Sequence, residues 1–263
     1  MKRLTCTITL GLAAASAGAA PGWSVSTDLE HFRWQEANVP SVTETGARYG
    51  LSWGYLRERA AGWQFGYRGQ FRRGTVDYNG SFLITGEPTT ARSQYTDLVN
   101  EAQAIYRFAA KPLELLGGLG LDYWERKILP AQREEYSVVF MRLGLNYDRR
   151  ATRAFFAGGG VKLPFYVREN AHITELGFNE NPHLEPKGEL SVYAQVGYRF
   201  TPRWSLIGYY DGYRFGESSA VRVTTSDPQT CARRSAAPPC PFSLFQPASS
   251  IDAYGLRLQY SFP

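Results

Sequence analysis

The chain has 263 residues, a formal net charge of +5 at pH 7 and an aromatic fraction of 14%. This small surplus, with arginines scattered along the chain and no basic run interleaved with aromatics, argues against nucleic-acid binding. Beyond the N-terminal leader, no stretch has the roughly 18 uninterrupted apolar residues that a membrane-spanning helix needs, which argues against a helical membrane protein.

Residues 1–19 have the features of a secretory signal peptide. They combine a basic start at residues 2–3, an apolar centre over residues 4–17 and an Ala-Gly-Ala cleavage motif that ends at Ala19. We therefore predict a cleaved leader over residues 1–19 and one mature domain over residues 20–263.

From residue 23 to residue 262 the chain alternates apolar and polar residues in stretches rich in Tyr, Trp and Gly. The segment VFMRLGLNYD at residues 139–148 is an example, and its period of two places the apolar side chains on one face of a strand. The pattern predicts ten strands, over residues 23–35, 42–57, 63–78, 92–108, 113–127, 135–148, 154–168, 186–200, 203–216 and 250–262.

The connections between these strands follow a rule of their own. Those after the even-numbered strands are short, such as residues 109–112 and 201–202, whereas those after strands three, seven and nine are long. Outer-membrane barrels have short periplasmic turns, long external loops and an even number of strands. We therefore predict an all-β fold, a ten-stranded antiparallel up-and-down barrel in the bacterial outer membrane, in contact with lipid and lipopolysaccharide.

Three positions disturb the strand pattern. His31 falls on the apolar register of the first strand, and Asp211 interrupts both registers of the ninth. Pro164 lies inside the seventh strand and cannot donate a ladder hydrogen bond. Bulges, or strand ends that project above the membrane, would accommodate these residues.

The last strand predicts a partner. Strands that outer-membrane assembly machinery reads usually end in an aromatic residue, and Phe262 is in that place, followed by Pro263, which departs from the usual pattern. We expect the C-terminal strand to contact that machinery.

Charged residues of both signs fall on the register opposite the apolar one, and we expect them to fill the barrel with ion pairs. The expected network consists of Arg68, Arg72, Asp97, Glu101, Arg107, Asp122, Arg142, Lys162, Glu189, Arg199 and Arg257. The same register also carries Asp28, Glu30, Glu44, Arg48, Arg126 and Arg168. A ring of one sign would indicate an ion-selective pore, and an open diffusion pore takes about 16–18 strands, so the mixture favours a plugged lumen with a slight basic bias.

Two cysteines remain after removal of the leader, and both lie in one stretch rich in Pro and Ser. Because an exported protein meets an oxidising compartment, we predict a Cys231–Cys240 disulfide that closes a small surface loop. A metal site there is less favoured, since no histidine lies nearby.

The sequence offers no clear catalytic constellation. The histidines are His31, His172 and His183, and none follows the Asp-x-His pattern that an omptin-like protease would need. A loop metal site built from His172, His183 and Glu185 is an alternative with undistinctive spacing. We expect no enzyme activity, no cofactor and no bound metal.

Three segments resemble a known group. They are GLGLDYWER at residues 118–126, GVKLPFYVREN at residues 160–170 and YYDGYRFGES at residues 209–218. These resemble the corresponding strands of a group of small proteobacterial outer-membrane β-barrel proteins. The resemblance implies fold and location but no activity. Within the first segment, Tyr123 and Trp124 are expected to end a strand at the outer membrane interface.

Three functions remain open on the sequence alone. The leading one is a structural or surface-interaction protein whose long loops carry recognition, with the fifth loop, closed by Cys231 and Cys240, as the main candidate. The second is a narrow channel or facilitator for a small solute, with the slight basic bias of the lumen favouring an anion. The third is a hydrolase or acyltransferase that acts on lipid or at the cell surface.

Overall fold

In a computed structural model, which describes residues 22–37, 41–57, 61–81, 86–128 and 132–262, ten long strands form one closed antiparallel barrel. Each strand pairs with its neighbours, and the last pairs with the first. The strands are β1 (Gly22–Glu36), β2 (Val42–Leu56), β3 (Gly62–Ser81), β4 (Pro88–Arg107), β5 (Leu113–Ile128), β6 (Gln132–Asp148), β7 (Ala154–Ala171), β8 (Ser191–Arg199), β9 (Trp204–Gly216) and β10 (Ser249–Ser261). The predicted ten-stranded barrel is confirmed, whereas the predicted leader and Pro263 lie outside the described residues.

None of the helices in the described part of the chain is both long and apolar enough to cross a membrane.

The outer wall of the barrel carries a continuous apolar band. Leu119, Leu143 and Leu256 are among its exposed side chains, on three different strands. At the end with the short turns, aromatic pairs on neighbouring strands form a girdle. Ring centroids are 5.0 Å apart in Trp23–Tyr55, 5.3 Å in Trp63–Tyr106 and 5.0 Å in Trp204–Tyr260. An outward apolar band bordered by aromatic rings is what a lipid bilayer selects in a barrel.

The barrel extends beyond this band at the opposite, extracellular end. There the outward positions change from apolar to charged, as Phe71 is followed by Arg73 and Tyr123 by Glu125 on the same faces. The connections also differ between the two ends: residues 108–112 and 200–203 form short periplasmic turns, and residues 172–190 and 217–248 form long external loops.

These two long loops fold together into a compact unit, which we call the cap. It contains a 3₁₀ helix (Ile173–Leu176), a helix (Pro228–Arg233) and a hairpin of Val221–Thr225 with Cys240–Leu244. Its small core includes Phe178 and Phe242, whose ring centroids are 5.2 Å apart. A cap with its own core stays folded above the membrane surface.

The longer loop of the cap, residues 217–248, joins the barrel at a narrow neck formed by Ser218 and Gln246. The Ser218 amide donates to the Gln246 carbonyl at 2.9 Å, and the Gln246 amide donates to Ser218 Oγ at 2.8 Å. These two bonds tie the outgoing and returning chain together at the top of β9 and β10.

A bulge in β7 corrects one sequence prediction. The pairing of β6 with β7 shifts register between Val139 and Phe140, opposite Pro164. As a result Phe165 and Tyr166 both face outward, with exposed fractions of 53% and 44%. One inserted residue moves every later side chain to the other face. The prediction that Arg168 lies in the lumen is therefore wrong: it is exposed on the outer wall.

The eighth strand of the barrel is shorter than predicted, because it begins at Ser191 rather than near residue 186. The preceding short strand, Lys187–Glu189, instead pairs with the upper end of β9, where Glu189 lies opposite Arg214. Glu189 is consequently exposed and outside the lumen, contrary to the sequence prediction.

Candidate functional site

The interior of the barrel is filled in layers, and the first is a vestibule at the periplasmic end. Its lining includes Ser26, Ser52 and Gln103, and it has room for several water molecules. Nearby, Arg107 Nη1 lies 2.7 Å from Glu114 Oε1, and Arg199 Nη2 lies 2.9 Å from Asp148 Oδ2. These pairs border the polar mouth of the lumen.

Above the vestibule lies a layer of ion pairs, which we call the ionic layer. It combines six acids and six bases: Asp28, Glu30, Asp97, Glu101, Asp122 and Asp211 with Arg48, Arg68, Arg72, Arg142, Lys162 and Arg257. Opposite charges are thus present in equal number in a largely buried space.

One half of the ionic layer is a square of two acids and two bases. Arg48 Nη2 lies 2.5 Å from Glu30 Oε1, and Arg72 Nη2 lies 2.7 Å from Asp97 Oδ2. Longer contacts of 3.4 Å and 3.3 Å complete it, from Arg48 to Asp97 and from Arg72 to Glu30. Each carboxylate therefore meets two guanidinium groups, which offsets the cost of removing the charges from water.

The other half is a chain of pairs along β3, β4, β6, β7 and β9. Lys162 Nζ lies 2.5 Å from Asp211 Oδ1, and Arg142 Nη2 lies 3.4 Å from Asp211 Oδ2. Arg68 Nη2 lies 3.0 Å from Glu101 Oε2. On the remaining side, Arg257 Nε donates to Asp28 Oδ1 at 2.6 Å. Side chains from opposite walls thus meet across the lumen.

A layer of aromatic and aliphatic side chains follows, which we call the aromatic layer. Its rings belong to Phe32, Trp34, Tyr95, Trp124, Tyr136, Phe140, Tyr213 and Phe215. Trp124 and Tyr136 stack with centroids 4.9 Å apart. This layer was not predicted, because a ring on the inward register looks the same in sequence as a ring at the membrane interface. In particular, Trp124 faces the interior and is buried.

Contacts between the ionic and aromatic layers leave little space between them. The Lys162 ammonium lies 3.3 Å from the centre of the Tyr213 ring, and the Tyr213 hydroxyl donates to Asp122 Oδ2 at 2.8 Å. The cavity at this level has room for about one water molecule. Buried side chains therefore fill much of the lumen at this level.

The outermost layer, which we call the glutamate layer, surrounds one arginine. Arg126 reaches Glu44 and Glu134 at 2.7 Å and Glu36 at 3.3 Å. The Gln246 side-chain amide donates to Glu36 Oε1 at 3.4 Å, so the cap contacts the contents of the barrel directly.

The predicted network residues other than Glu189 lie inside the barrel. The structure joins Arg68, Arg72, Asp97, Glu101, Asp122, Arg142, Lys162 and Arg257 in the ionic layer and places Arg107 and Arg199 beside the vestibule. Asp211, which the sequence singled out only as a disturbance of β9, is a central member of the ionic layer.

The predicted disulfide between Cys231 and Cys240 is present and lies buried in the cap core. It closes a loop whose exposed tip carries Arg233 and Arg234. Asp227 caps the short helix, accepting from the Thr230 amide at 2.9 Å. Hydrogen bonds from the Thr230 hydroxyl and amide hold the pKa of Asp227 below its ordinary value.

The three histidines have different surroundings. His31 is on the outer wall, with Nε2 3.2 Å from Thr45 Oγ1. His172 Nδ1 contacts Arg133 Nη2 at 3.0 Å, and His183 is exposed on the edge of the cap. Among the described residues, no group of three His, Cys, Asp or Glu side chains is arranged to hold a metal ion.

Comparison with known proteins gives matches of overall structure only. No protein-family model matches the chain, and no curated protein matches it by sequence. The outer membrane protease OmpT of Escherichia coli matches with 11% identity and a TM-score of 0.49, over 92% of this chain and 97% of that one. The toluene transporter TbuX of Ralstonia pickettii matches with 9% identity and a TM-score of 0.42, over 93% and 89%. Likenesses of this size say nothing about activity.

The class of protein follows from the geometry of the chain itself. A closed barrel with an apolar outer band, an aromatic girdle, short turns at one end and long loops at the other is an integral protein of the bacterial outer membrane.

Proposed function

We propose that this protein is a non-conducting, non-enzymatic barrel that recognises a ligand at the cell surface through its cap. The observation that carries the proposal is the filled lumen, in which paired charges, aromatic rings and glutamates follow one another from the vestibule to the cap. A lumen with space for about one water molecule where the ionic and aromatic layers meet suits anchoring better than transport.

The cap has the properties of a recognition element. Its core and its disulfide fix the loop, so little conformational freedom is lost when a ligand binds. In contrast with the buried charges below, Arg222, Arg233 and Arg234 are exposed on it. Arg234 is further held by Phe242, whose ring centre lies 3.6 Å from the guanidinium carbon.

The chemistry of this tip favours an anionic ligand. Two adjacent arginines on a rigid loop can pair with carboxylate or sulfate groups through their planar donor forks. The segment from Pro228 to Cys240 contains no Asp or Glu, so it has no carboxylate of its own to pair with these arginines. We therefore propose an acidic polysaccharide as the ligand class.

The surroundings of the barrel complete the proposal. The apolar band contacts membrane lipid and lipopolysaccharide, and β10, followed by the exposed Phe262, is the strand that assembly machinery reads.

Planar-bilayer recording tests the closed lumen. We expect the purified protein to insert without single-channel steps under conditions in which a known porin conducts. Reproducible steps of fixed size would overturn the non-conducting part of the proposal.

Binding to immobilised heparin, a model acidic polysaccharide, tests the cap. We expect cells that display the wild type to be retained, and an Arg233→Ser/Arg234→Ser variant to lose at least tenfold in retention at equal surface expression. Arg73→Ser is the control, because Arg73 is also exposed but lies on the barrel wall. Equal retention of all three proteins would refute the assignment to the cap.

A further inference from the structure

A second, enclosed cavity lies within the ionic layer, just above the vestibule. Its charged lining consists of Arg68, Arg72, Arg142 and Arg257 with a single carboxylate, that of Asp211. It has room for roughly one particle slightly larger than a water molecule.

The polar groups around this cavity are not all satisfied. The Nε atoms of Arg68, Arg72 and Arg142 and the hydroxyl of Tyr193 are buried and make no hydrogen bond within the protein. Glu101 Oε1 lies 3.7 Å from Arg142 Nε, which is beyond hydrogen-bond distance. Arg72 and Arg142 are 4% and 5% exposed, so bulk water does not solvate them. Unmet buried donors of this kind call for an acceptor.

Charge within the ionic layer is segregated, although acids and bases are equal in number. Four guanidinium groups and one carboxylate line the lower cavity, whereas the next cavity toward the cell surface is lined by Asp97, Asp122 and Asp211 together with Arg48 and Arg72. The balance of charge in the two linings therefore favours a negatively charged particle in the lower cavity over the upper one.

The lower cavity borders the vestibule on its periplasmic side. Arg68 and Arg257 line both this cavity and the vestibule, so these two side chains lie between the cavity and the periplasmic end of the lumen. Toward the cell surface, the carboxylates and the aromatic layer close the way. The geometry is that of a site with one entrance.

We propose that this cavity binds one small monovalent inorganic anion of the size of chloride, taken up from the periplasmic side. The anion accepts from the unmet Nε–H groups of Arg72 and Arg142 and offsets the local excess of positive charge. It is a fixed part of the ionic layer and does not pass through the barrel. The site is independent of ligand recognition by the cap.

Bromide locates the site directly, because it replaces chloride and scatters anomalously. Crystals of the wild-type protein grown with sodium bromide should show an anomalous peak inside the barrel, within hydrogen-bond distance of Arg72 and Arg142. Well-diffracting crystals with no peak at that place would overturn the proposal and leave water as the occupant.

Thermal unfolding in nonionic detergent gives a second measurement. At constant ionic strength, replacing gluconate, which is too large for the cavity, by chloride should raise the midpoint saturably, by roughly 5–10 °C once chloride exceeds its dissociation constant about 100-fold. The same midpoint in both salts would contradict the proposal.

A tethered charge provides the matched test. Gln195 lines the cavity, so Gln195→Glu places a carboxylate where the anion would lie. We expect this variant to have a high midpoint in gluconate and no response to chloride. Gln259→Glu adds the same charge in the vestibule and should keep the wild-type response. An undiminished chloride response in Gln195→Glu would refute the site.

Discussion

The guanidinium carbon of Arg48 lies 3.9 Å from the centre of the Phe32 ring. The same guanidinium group pairs with Glu30 in the ionic layer, so one side chain binds to both layers. The cation is attracted to the face of the ring, and in a dry site this attraction is worth about 2 kcal/mol. The ionic layer and the aromatic layer therefore stabilise each other.

Removal of the Phe32 ring should destabilise the aromatic layer and the ionic layer together. For Phe32→Ala we expect the free energy of unfolding to fall by about 3–5 kcal/mol, because a buried ring is lost and a cavity remains. Urea unfolding in detergent measures the change. Phe245→Ala, which removes an exposed ring from the cap, is the control and should cost less than about 1 kcal/mol. Equal losses in the two variants would show that the aromatic layer contributes nothing special.

The glutamate layer depends on its single arginine. Arg126→Met leaves Glu36, Glu44 and Glu134 without their shared base, and breaking buried pairs in this way costs about 3–5 kcal/mol. The variant should unfold at lower urea concentration than the wild type or accumulate poorly in the membrane. Arg222→Met changes an exposed arginine of the cap and should behave like the wild type. A stable Arg126→Met protein would mean that the three carboxylates do not need this base.

Reduction of the disulfide should loosen the cap and leave the barrel intact. The bond between Cys231 and Cys240 closes a loop in the unfolded chain, and its loss should destabilise the cap by about 2 kcal/mol. In Cys231→Ser/Cys240→Ser we expect faster proteolysis between residues 226 and 240 in whole cells. The mobility of the folded barrel in unheated gels should stay unchanged. Protease resistance equal to that of the wild type would show that the core around Phe178 suffices.

The cap helix should respond to acid through Asp227. Its folded-state pKa lies below the ordinary carboxyl value of 3.8, so its contribution is fully present above that value and is lost as pH falls through the lowered one. Hydrogen exchange of the Thr230 amide, which donates to Asp227, should therefore become faster relative to its rate in an unfolded chain only in strong acid. In Asp227→Asn, which does not titrate, this pH dependence should be absent. A loss of protection that begins near neutral pH in the wild type would contradict the assignment.

The strand pattern could be predicted because lipid acts on every second side chain. In segment 139–148 the pairing with β7 is regular from Phe140 onward, and the alternation predicts correctly which side chains face outward and which face the lumen. The bulge at Pro164 could be suspected from the missing amide, but its consequence for Arg168 could not be derived. A shift of one residue depends on the partner strand as well as on the proline.

The aromatic layer and the cavities were beyond prediction for a different reason. Phe32 and Trp124 lie on the inward register, yet a ring at a strand end suits an interface equally well in sequence. Contacts such as Phe178 with Phe242 join loops far apart in the chain, and only the folded barrel brings them together. The unmet donors around Gln195 likewise arise from packing in three dimensions.

The neck at Ser218 and Gln246 has a consequence for how the protein can change over generations. Since the two bonds there hold the chain ends at a fixed separation, replacement of the segment above them leaves the spanning part undisturbed. Mutations that evade a phage or an antibody can accumulate in that segment, while the anchor beneath it keeps its composition. Related strains should accordingly differ most between these two residues.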